Sequence, residues 1–195
     1  MAQQDTEPRR ANAADFTWRG DDVFGRIAHR YDRLCDLFSL GLHRLWKRRM
    51  ARVIAREPWT LLLDGATGTG DILLRLLPQL TDPGRRIVAS DISPRMLAMA
   101  ERRLAGKRAA VELRRLDLEC MPEVASASVD AYAISLGLKI CDRGLALQEA
   151  WRVLKPGGRL VVLHPHERND ICGLRSRIEV IAAASETAAA TPTEN

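Results

Sequence analysis

The sequence predicts an α/β fold, with a mostly parallel sheet of about five strands flanked by helices. Short apolar runs alternate with amphipathic helical patterns from about residue 59 onward. The first of these runs leads into a glycine-rich loop, and an aspartate closes or follows each of the first three. Such alternation forms right-handed crossovers, so the carboxyl ends of the strands share one edge, where a ligand binds.

The 195 residues fit one domain, which we divide into four parts. Residues 1–19 are polar without periodicity and predict a disordered leader. Residues 20–58 predict a helical segment, with short helices at 23–31 and 34–39 and a longer one at 42–54. Residues 59–170 predict the sheet-containing core, and residues 171–195 predict a short helix followed by a disordered tail.

The core is predicted element by element from apolar runs and their boundary residues. The predicted strands cover residues 61–63, 86–90, 111–115, 129–135 and 159–163, and the predicted helices cover 71–80, 94–104 and 143–154. Ser93 and Pro94 form an N-cap followed by a proline at the first helical position. The Lys-Pro-Gly-Gly turn at 155–158 ends the last helix, because proline cannot continue it.

The sheet is predicted to stop at the fifth strand, because the alanine- and threonine-rich residues after 181 lack a strand pattern. An unpaired strand edge is usually covered. We therefore expect a second copy, a partner chain or the basic helix at 42–54 to shield this edge.

The helix at 42–54 is basic and amphipathic, which leaves two interpretations open. Its apolar face is predicted to carry Leu42, Leu45, Trp46, Met50, Val53 and Ile54, and its remaining surface Arg44, Lys47, Arg48, Arg49 and Arg52. In one interpretation the apolar face packs on the sheet and the charges are solvated. In the other, the helix makes peripheral contact with anionic lipid headgroups.

Composition narrows the class of protein. The net charge of +5 is modest for a nucleic-acid binder, and aromatic residues, at 5%, offer few stacking platforms for bases, so no nucleic-acid partner is predicted. The cysteines are Cys35, Cys120, Cys141 and Cys172. Their scattered spacing predicts free thiols in a reducing cytoplasm, and the sequence predicts no metal site.

The loop that follows the first strand predicts a nucleotide-type site. Gly65, Gly68 and Gly70 let the backbone approach a ligand closely. A dinucleotide fingerprint requires a third glycine three residues after Gly70, where this chain has Leu73. The loop therefore indicates a mononucleoside cofactor rather than a dinucleotide.

Three aspartates strengthen this interpretation, because they fall at successive strand ends. Asp64 closes the first strand, and Asp91 closes the second, where a carboxylate can accept both hydroxyl groups of a ribose. Asp117 follows the third strand, where its carboxylate and the adjacent backbone amide can read an adenine edge. Each aspartate alone fits a loop or N-cap role equally well. Together, they favour a nucleoside site.

Five segments of the chain form a recognisable set of motifs: Val23-Phe24-x-x-Ile27-Ala28-x-x-Tyr31-Asp32, Ser39-Leu40-Gly41-Leu42-His43-Arg44-x-Trp46-Lys47, Leu63-Asp64-x-Ala66-x-Gly68-Thr69-Gly70-Asp71, Asp91-Ile92-Ser93-x-x-Met96-Leu97 and Arg152-Val153-Leu154-Lys155-Pro156-Gly157-Gly158. With these segments the chain resembles the ubiquinone/menaquinone-biosynthesis C-methyltransferase family of class I S-adenosylmethionine (SAM) methyltransferases. The segments before the first strand are the most particular to this family.

The resemblance implies a Rossmann-like methyltransferase fold, SAM as cofactor and a small hydrophobic acceptor, a prenylated quinol methylated on a ring carbon. The cofactor-binding residues that we predict are Asp64, Gly65, Ala66, Thr67, Gly68, Gly70, Asp91, Ile92, Asp117, Leu118 and Ser135. The candidates on the acceptor side are Tyr31, Asp32, His43 and Lys139. Tyr31 and His43 also fit purely structural roles, in the core or in a helix cap.

The chain departs from the family pattern in three places. Lys139 replaces an arginine after the fourth strand, and His164-Pro165-His166 replaces a Glu-Phe-Ser sequence after the fifth. We interpret the histidines as a changed pocket wall rather than half of a metal site. The family's final antiparallel hairpin is predicted to be missing. These departures leave two alternatives open: O- or N-methylation of a specialised metabolite, and a catalytically weak SAM-binding subunit of a complex.

Overall fold

A computed structural model of the protein describes residues 42–107, 110–165 and 176–183. The predicted leader, the two short helices at 23–31 and 34–39, and the tail beyond residue 183 lie outside these residues. The described helices are α1 (Leu42–Arg56), α2 (Asp71–Leu76), α3 (Pro94–Leu104) and α4 (Arg143–Val153). The strands are β1 (Leu61–Gly65), β2 (Arg86–Asp91), β3 (Ala110–Arg115), β4 (Val129–Ser135), β5 (Leu154–Pro165) and β6 (Ser176–Ala182). Short 3₁₀ turns cover Leu77–Gln79 and Gly137–Lys139.

The predicted α/β class with a mostly parallel sheet is confirmed. The strands lie in the order β3-β2-β1-β4-β5-β6, and the first five run parallel. Chain order reverses at β1, which lies between β2 and β4. The loops that leave the carboxyl ends of β1 and β4 therefore diverge, and a crevice opens between them.

The sixth strand corrects the prediction that the sheet stops at β5. Strand β6 pairs antiparallel with β5, from Arg159 opposite Ala182 to Pro165 opposite Ser176. Our sequence analysis predicted a short helix over this region instead of a strand. The sequence from Arg177 to Val180 alternates polar with β-branched residues, a strand pattern that we missed. Because β6 covers the β5 edge, neither a partner chain nor α1 is needed there.

The sheet separates two apolar clusters, since alternate residues of a strand point to opposite faces. Leu62 faces the cluster that contains Met50 and Ile54 of α1, whereas Leu63 faces the cluster that contains Tyr132 and Leu160. Helix α1 is therefore part of the core of the domain. No helix in the described ranges is long and apolar enough to cross a membrane.

Gly65 ends β1 at a point where no side chain fits. A Cβ atom placed there would lie 2.7 Å from Leu118 Cδ2 and 2.7 Å from both Cε2 and the hydroxyl oxygen of Tyr132. Tyr132 is fully buried, so its ring cannot move aside without disturbing the second apolar cluster.

We expect Gly65→Ala to lower the free energy of unfolding by about 1–3 kcal/mol, the usual effect of overpacking a core. Urea denaturation measures this change. The matched control is Gly144→Ala in the first turn of α4, where the nearest atom to the new Cβ is Asp142 Oδ1 at 3.3 Å. An equal loss of stability in both variants would contradict the close packing at Gly65.

Candidate functional site

A cleft opens at the carboxyl ends of β1, β2 and β4 and beside the loop after β3. Ten of the residues predicted from the sequence line it: Asp64, Ala66, Thr67, Gly68, Asp91, Ile92, Asp117, Leu118, Ser135 and Lys139. Three other predicted residues that the structure describes do not line it. Gly65 lies beneath the cleft, Gly70 precedes α2, and His43 is buried within α1. Tyr31 and Asp32 lie outside the described residues.

The loop between β1 and α2 is built from left-handed turns. Ala66, Gly68 and Gly70 have φ angles of 53°, 58° and 78°. The Thr67 amide donates to the Ser90 carbonyl at 2.8 Å, which anchors the loop to β2. No atom lies within 4 Å of a Cβ placed on Gly68, so this position borders open space. The loop therefore presents backbone, with little side-chain bulk, to the cleft.

Asp64 is a buried carboxylate with one oxygen unsatisfied. Its Oδ2 accepts a hydrogen bond from Thr67 Oγ1 at 2.6 Å, whereas the buried Oδ1 has no partner. Burial above all, with a smaller effect of nearby Asp91, raises the pKa of Asp64 to about 7, although the Thr67 hydrogen bond and Lys47 oppose the rise. A cationic group at Oδ1 would supply the missing partner and favour ionisation.

Asp91 joins the two loops that border the cleft. Its Oδ2 accepts from the Gly68 amide and its Oδ1 from the Ser93 amide, both at 2.9 Å. Ser93 in turn caps α3, because its hydroxyl oxygen accepts from the Met96 amide at 3.3 Å. A carboxylate has about four acceptor positions. Both oxygens of the Asp91 carboxylate are thus held in place at the cleft, which Asp91 lines.

The loop after β3 is fixed by its own hydrogen bonds. Asp117 Oδ1 accepts from the Glu119 amide at 3.0 Å, and Glu119 Oε1 accepts from the Asp142 amide at 2.8 Å. The Leu118 side chain packs against Gly65 and Gly137. The Asp117 carboxylate and the Leu118 backbone are thus held in place beside the cleft.

The segment after β4 contributes a second unsatisfied polar atom. Ser135 Oγ is buried without a hydrogen-bond partner. Leu136 has a φ angle of 62°, and its amide donates to the Leu163 carbonyl at 2.7 Å. A Cβ on Gly137 would lie 2.8 Å from Ala66 Cβ, so this segment packs closely on the glycine loop.

Lys47 and Asp71 form a buried ion pair that our sequence analysis missed. Lys47 Nζ lies 3.0 Å from Asp71 Oδ2, and Arg75 and Arg103 lie 3.4 and 3.6 Å from Asp71 Oδ1. Burial raises the pKa of Asp71, but these cations, Lys47 foremost, outweigh it and bring the pKa below its ordinary value. Both Lys47 and Asp71 line the cleft.

The prediction for the faces of α1 was therefore wrong at three positions. Lys47, expected on the solvated face, is only 7% exposed, whereas Leu42 and Leu45, expected in the core, are 38% and 56% exposed. The buried face follows His43, Lys47, Met50 and Ile54. Their spacing of three and four residues is helical, but a charged residue within it concealed the pattern.

Thr69 and Cys141 also line the cleft, and the sequence analysis did not select either as a site residue. Arg103 donates to the Thr69 carbonyl and hydroxyl oxygens at 3.1 and 2.5 Å. Burial above all, together with nearby carboxylates, raises the pKa of Cys141 to about 11. Cys141 is therefore a neutral thiol near pH 7, the less nucleophilic form of this side chain.

His164 does not form the changed pocket wall that we predicted. Its Nε2 lies 3.5 Å from Glu179 Oε1 on β6, and it is not among the residues that line the cleft. The presence of β6 explains the difference, because it supplies a carboxylate beside the end of β5. His166 lies outside the described residues.

Comparisons with known proteins agree with the motifs. The model of the ubiE/COQ5 methyltransferase family matches residues 14–177. The ubiquinone/menaquinone biosynthesis C-methyltransferase UbiE of Cereibacter sphaeroides is 43% identical over 144 residues, which cover 72% of this chain and 56% of that protein. The UbiE protein of Acidiphilium cryptum is 42% identical over 146 residues, covering 73% of this chain and 57% of that protein.

A comparison with solved structures agrees with the fold described above. A putative SAM-dependent methyltransferase from Methanococcus maripaludis superimposes with a TM-score of 0.60 at 18% sequence identity, covering 76% of this chain and 68% of that chain. This likeness supports the fold alone. The chain spans little more than half the length of the two UbiE relatives that it matches.

We expect Asp64→Asn to remove a pH dependence from the stability of the cofactor-free protein. Folding raises the pKa of Asp64 above its ordinary value of 3.8. The contribution of Asp64 to stability is therefore fully present below pH 3.8 and is lost as the pH rises through about 7. Between the two ends of this pH range, the free energy of unfolding of the variant should rise by on the order of 4 kcal/mol relative to that of wild type.

Urea denaturation at a series of pH values measures the difference. The control is Asp82→Asn, which removes the same charge from the exposed turn before β2. A difference between wild type and Asp64→Asn that stays constant with pH would contradict the burial of an ionisable Asp64.

Removing the ion pair of the cleft should destabilise the domain. We expect Lys47→Met to lower the free energy of unfolding by about 3 kcal/mol, since it leaves the buried Asp71 with only its two more distant arginine partners. Arg48→Met, at the adjacent exposed position, should change stability by less than about 0.5 kcal/mol. Thermal unfolding followed by circular dichroism compares the two, and equal effects would contradict the structural role of Lys47.

Proposed function

Because the chain belongs to the ubiE/COQ5 methyltransferase family, we propose that it transfers the methyl group of SAM to a ring carbon of a quinol or related phenol. Family membership agrees with the class of enzyme and the cofactor that the motifs predicted. The activity of this chain and the identity of its acceptor are our proposal.

The unsatisfied oxygen of Asp64 is the observation that carries the proposal. A buried acceptor without a partner costs about 1–3 kcal/mol, so such an atom is expected to meet a donor when the site is filled. The amino-acid part of SAM carries an ammonium group that would donate to Asp64 Oδ1. Its carboxylate would lie near Lys47, on the same side of the cleft as the glycine loop.

The nucleoside part would occupy the rest of the cleft. Asp91 would accept the two ribose hydroxyl groups while keeping its bonds to the Gly68 and Ser93 amides. Asp117 and the Leu118 backbone would contact the adenine edge, with Ile92 against the ring. Ser135 Oγ, which is buried without a partner, would gain one from the ligand.

The bound sulfonium supplies an activated methyl group, so the protein has mainly to align the acceptor carbon with it. Lys139 lines the cleft and is exposed, and its ammonium would stabilise the negative charge of an ionised ring hydroxyl. An ionised hydroxyl makes the ring carbon a better nucleophile. Tyr31, Asp32 and His43 stay predictions for the acceptor side.

Carbon is the methylated atom that the relatives favour, since both are named C-methyltransferases. No contact among the described residues favours O- or N-methylation, or a role as a SAM-binding subunit without activity. A prenylated quinol is strongly hydrophobic and resides in a bilayer. The proposal therefore includes a peripheral encounter of a cytoplasmic protein with a membrane.

We expect Asp91→Ala to weaken SAM binding by about 1–3 kcal/mol, because the ribose hydroxyl groups lose their acceptors. Isothermal titration calorimetry measures the affinity. Asp82→Ala, which removes an exposed carboxylate before β2, is the control and should bind SAM as wild type does. Unchanged binding by Asp91→Ala would refute the ribose assignment.

Transfer of a labelled methyl group from SAM to a demethylated prenylated quinol tests the reaction itself. We expect methylation on carbon, identified by mass spectrometry of the product. Binding of SAM without methylation of any quinol or phenol in a panel would overturn the proposed acceptor class.

A further inference from the structure

The outer surface of α1 is a basic stripe that the cleft does not use. Its exposed residues include Leu45, Arg48, Arg49, Arg52 and Arg56, which we call the arginine face. Helix α1 contains no acidic residue from Leu42 to Arg56. The net charge of the whole chain is only +5, so the excess of positive over negative charge is concentrated on this helix.

The arginines of this face are available to a partner. Within the part of the chain that the structure describes, Arg48, Arg49, Arg52 and Arg56 make no ion pair. Lys47, on the opposite side of the helix, by contrast forms an ion pair with Asp71. A cluster of four unneutralised guanidinium groups attracts a surface of high negative charge.

An exposed leucine lies in the middle of the arginine face. At about 100° per residue, Arg52 and Arg56 lie roughly 20° to either side of Leu45, and Arg48 and Arg49 lie within about 60°. Leu45 is 56% exposed, among the most exposed large apolar side chains of the described residues, and Leu42, on the same side of the helix, is 38% exposed. The face therefore combines an apolar centre with a cationic border.

We propose that the arginine face docks on the surface of an anionic lipid bilayer, with Leu45 inserted at the boundary between headgroups and acyl chains. This inference rests on the proposed function, since a bilayer is where a hydrophobic quinol resides. A helix that lies in the membrane interface places apolar side chains toward the acyl region and basic ones beside phosphates. Each basic residue near an anionic surface contributes about 1 kcal/mol.

The apolar centre distinguishes a bilayer from a nucleic acid. A phosphate backbone binds cationic groups but makes no favourable contact with a leucine that lies between them. An anionic bilayer interacts favourably with the cationic groups and with the leucine. Docking in this way would also orient the cleft, because Lys47 projects from the opposite side of the same helix into the site.

Vesicle flotation with the full chain tests the surface. We expect binding to vesicles of phosphatidylcholine mixed with phosphatidylglycerol, little binding to phosphatidylcholine alone, and loss of binding at high salt. The triple variant Arg48→Gln, Arg49→Gln, Arg52→Gln should bind the anionic vesicles about a hundredfold more weakly. Leu45→Ser should weaken binding severalfold while leaving its salt dependence unchanged.

The matched control is Arg86→Gln, Arg102→Gln, Lys107→Gln, which removes the same charge from exposed positions outside α1. Its binding should be within a fewfold of wild type. Equal losses in the two triple variants, or tighter binding to duplex nucleic acid than to anionic vesicles, would overturn the proposal.

Calorimetry with SAM separates this inference from the proposed function. The arginine-face variant should keep wild-type SAM affinity, because none of its substituted residues lines the cleft. If the wild-type chain binds SAM and transfers its methyl group but does not bind anionic vesicles, only the proposed docking surface is overturned. Vesicle binding by a chain that fails to bind SAM would overturn the proposed function alone.

Discussion

Burial of the Asp64 carboxylate at the end of β1 is the constraint on which the site depends. The glycine at position 65 lets Leu118 and Tyr132 close over the strand end, and this packing removes water from Asp64. Thr67 satisfies one oxygen, so the other is left for a ligand. The raised pKa of Asp64 follows from the same burial. The packing beneath the cleft thus determines both the raised pKa of Asp64 and the unsatisfied oxygen that it offers to a ligand.

Helix α1 links three parts of the molecule. Met50 and Ile54 pack in the core, Lys47 pairs with Asp71 at the cleft, and the arginine face lies outside. Asp71 also meets Arg75 and Arg103, and Arg103 bonds Thr69 of the glycine loop. A helix that precedes the first strand of the sheet is therefore joined electrostatically to the loop that would hold the cofactor.

Ten of the residues that line the cleft could be predicted from the sequence, because their positions depend on local signals. Glycine spacing and an aspartate at each strand end are readable within a few residues, as Asp64 and Asp91 show. Lys47 could not be recognised in this way, since its burial depends on Asp71, which is distant in sequence. Strand β6 was missed for a related reason: its short alternating pattern becomes a strand only through pairing with β5.

Proton release on SAM binding tests the central claim most directly. Calorimetry at pH 7 in buffers of different ionisation enthalpy counts the protons. If the ammonium of SAM binds ionised Asp64, about half a proton should be released per site at pH 7, and affinity should rise about fivefold from pH 6 to pH 7. Asp64→Asn should abolish both effects. SAM binding without proton release, with an affinity that does not change over this range, would contradict the account.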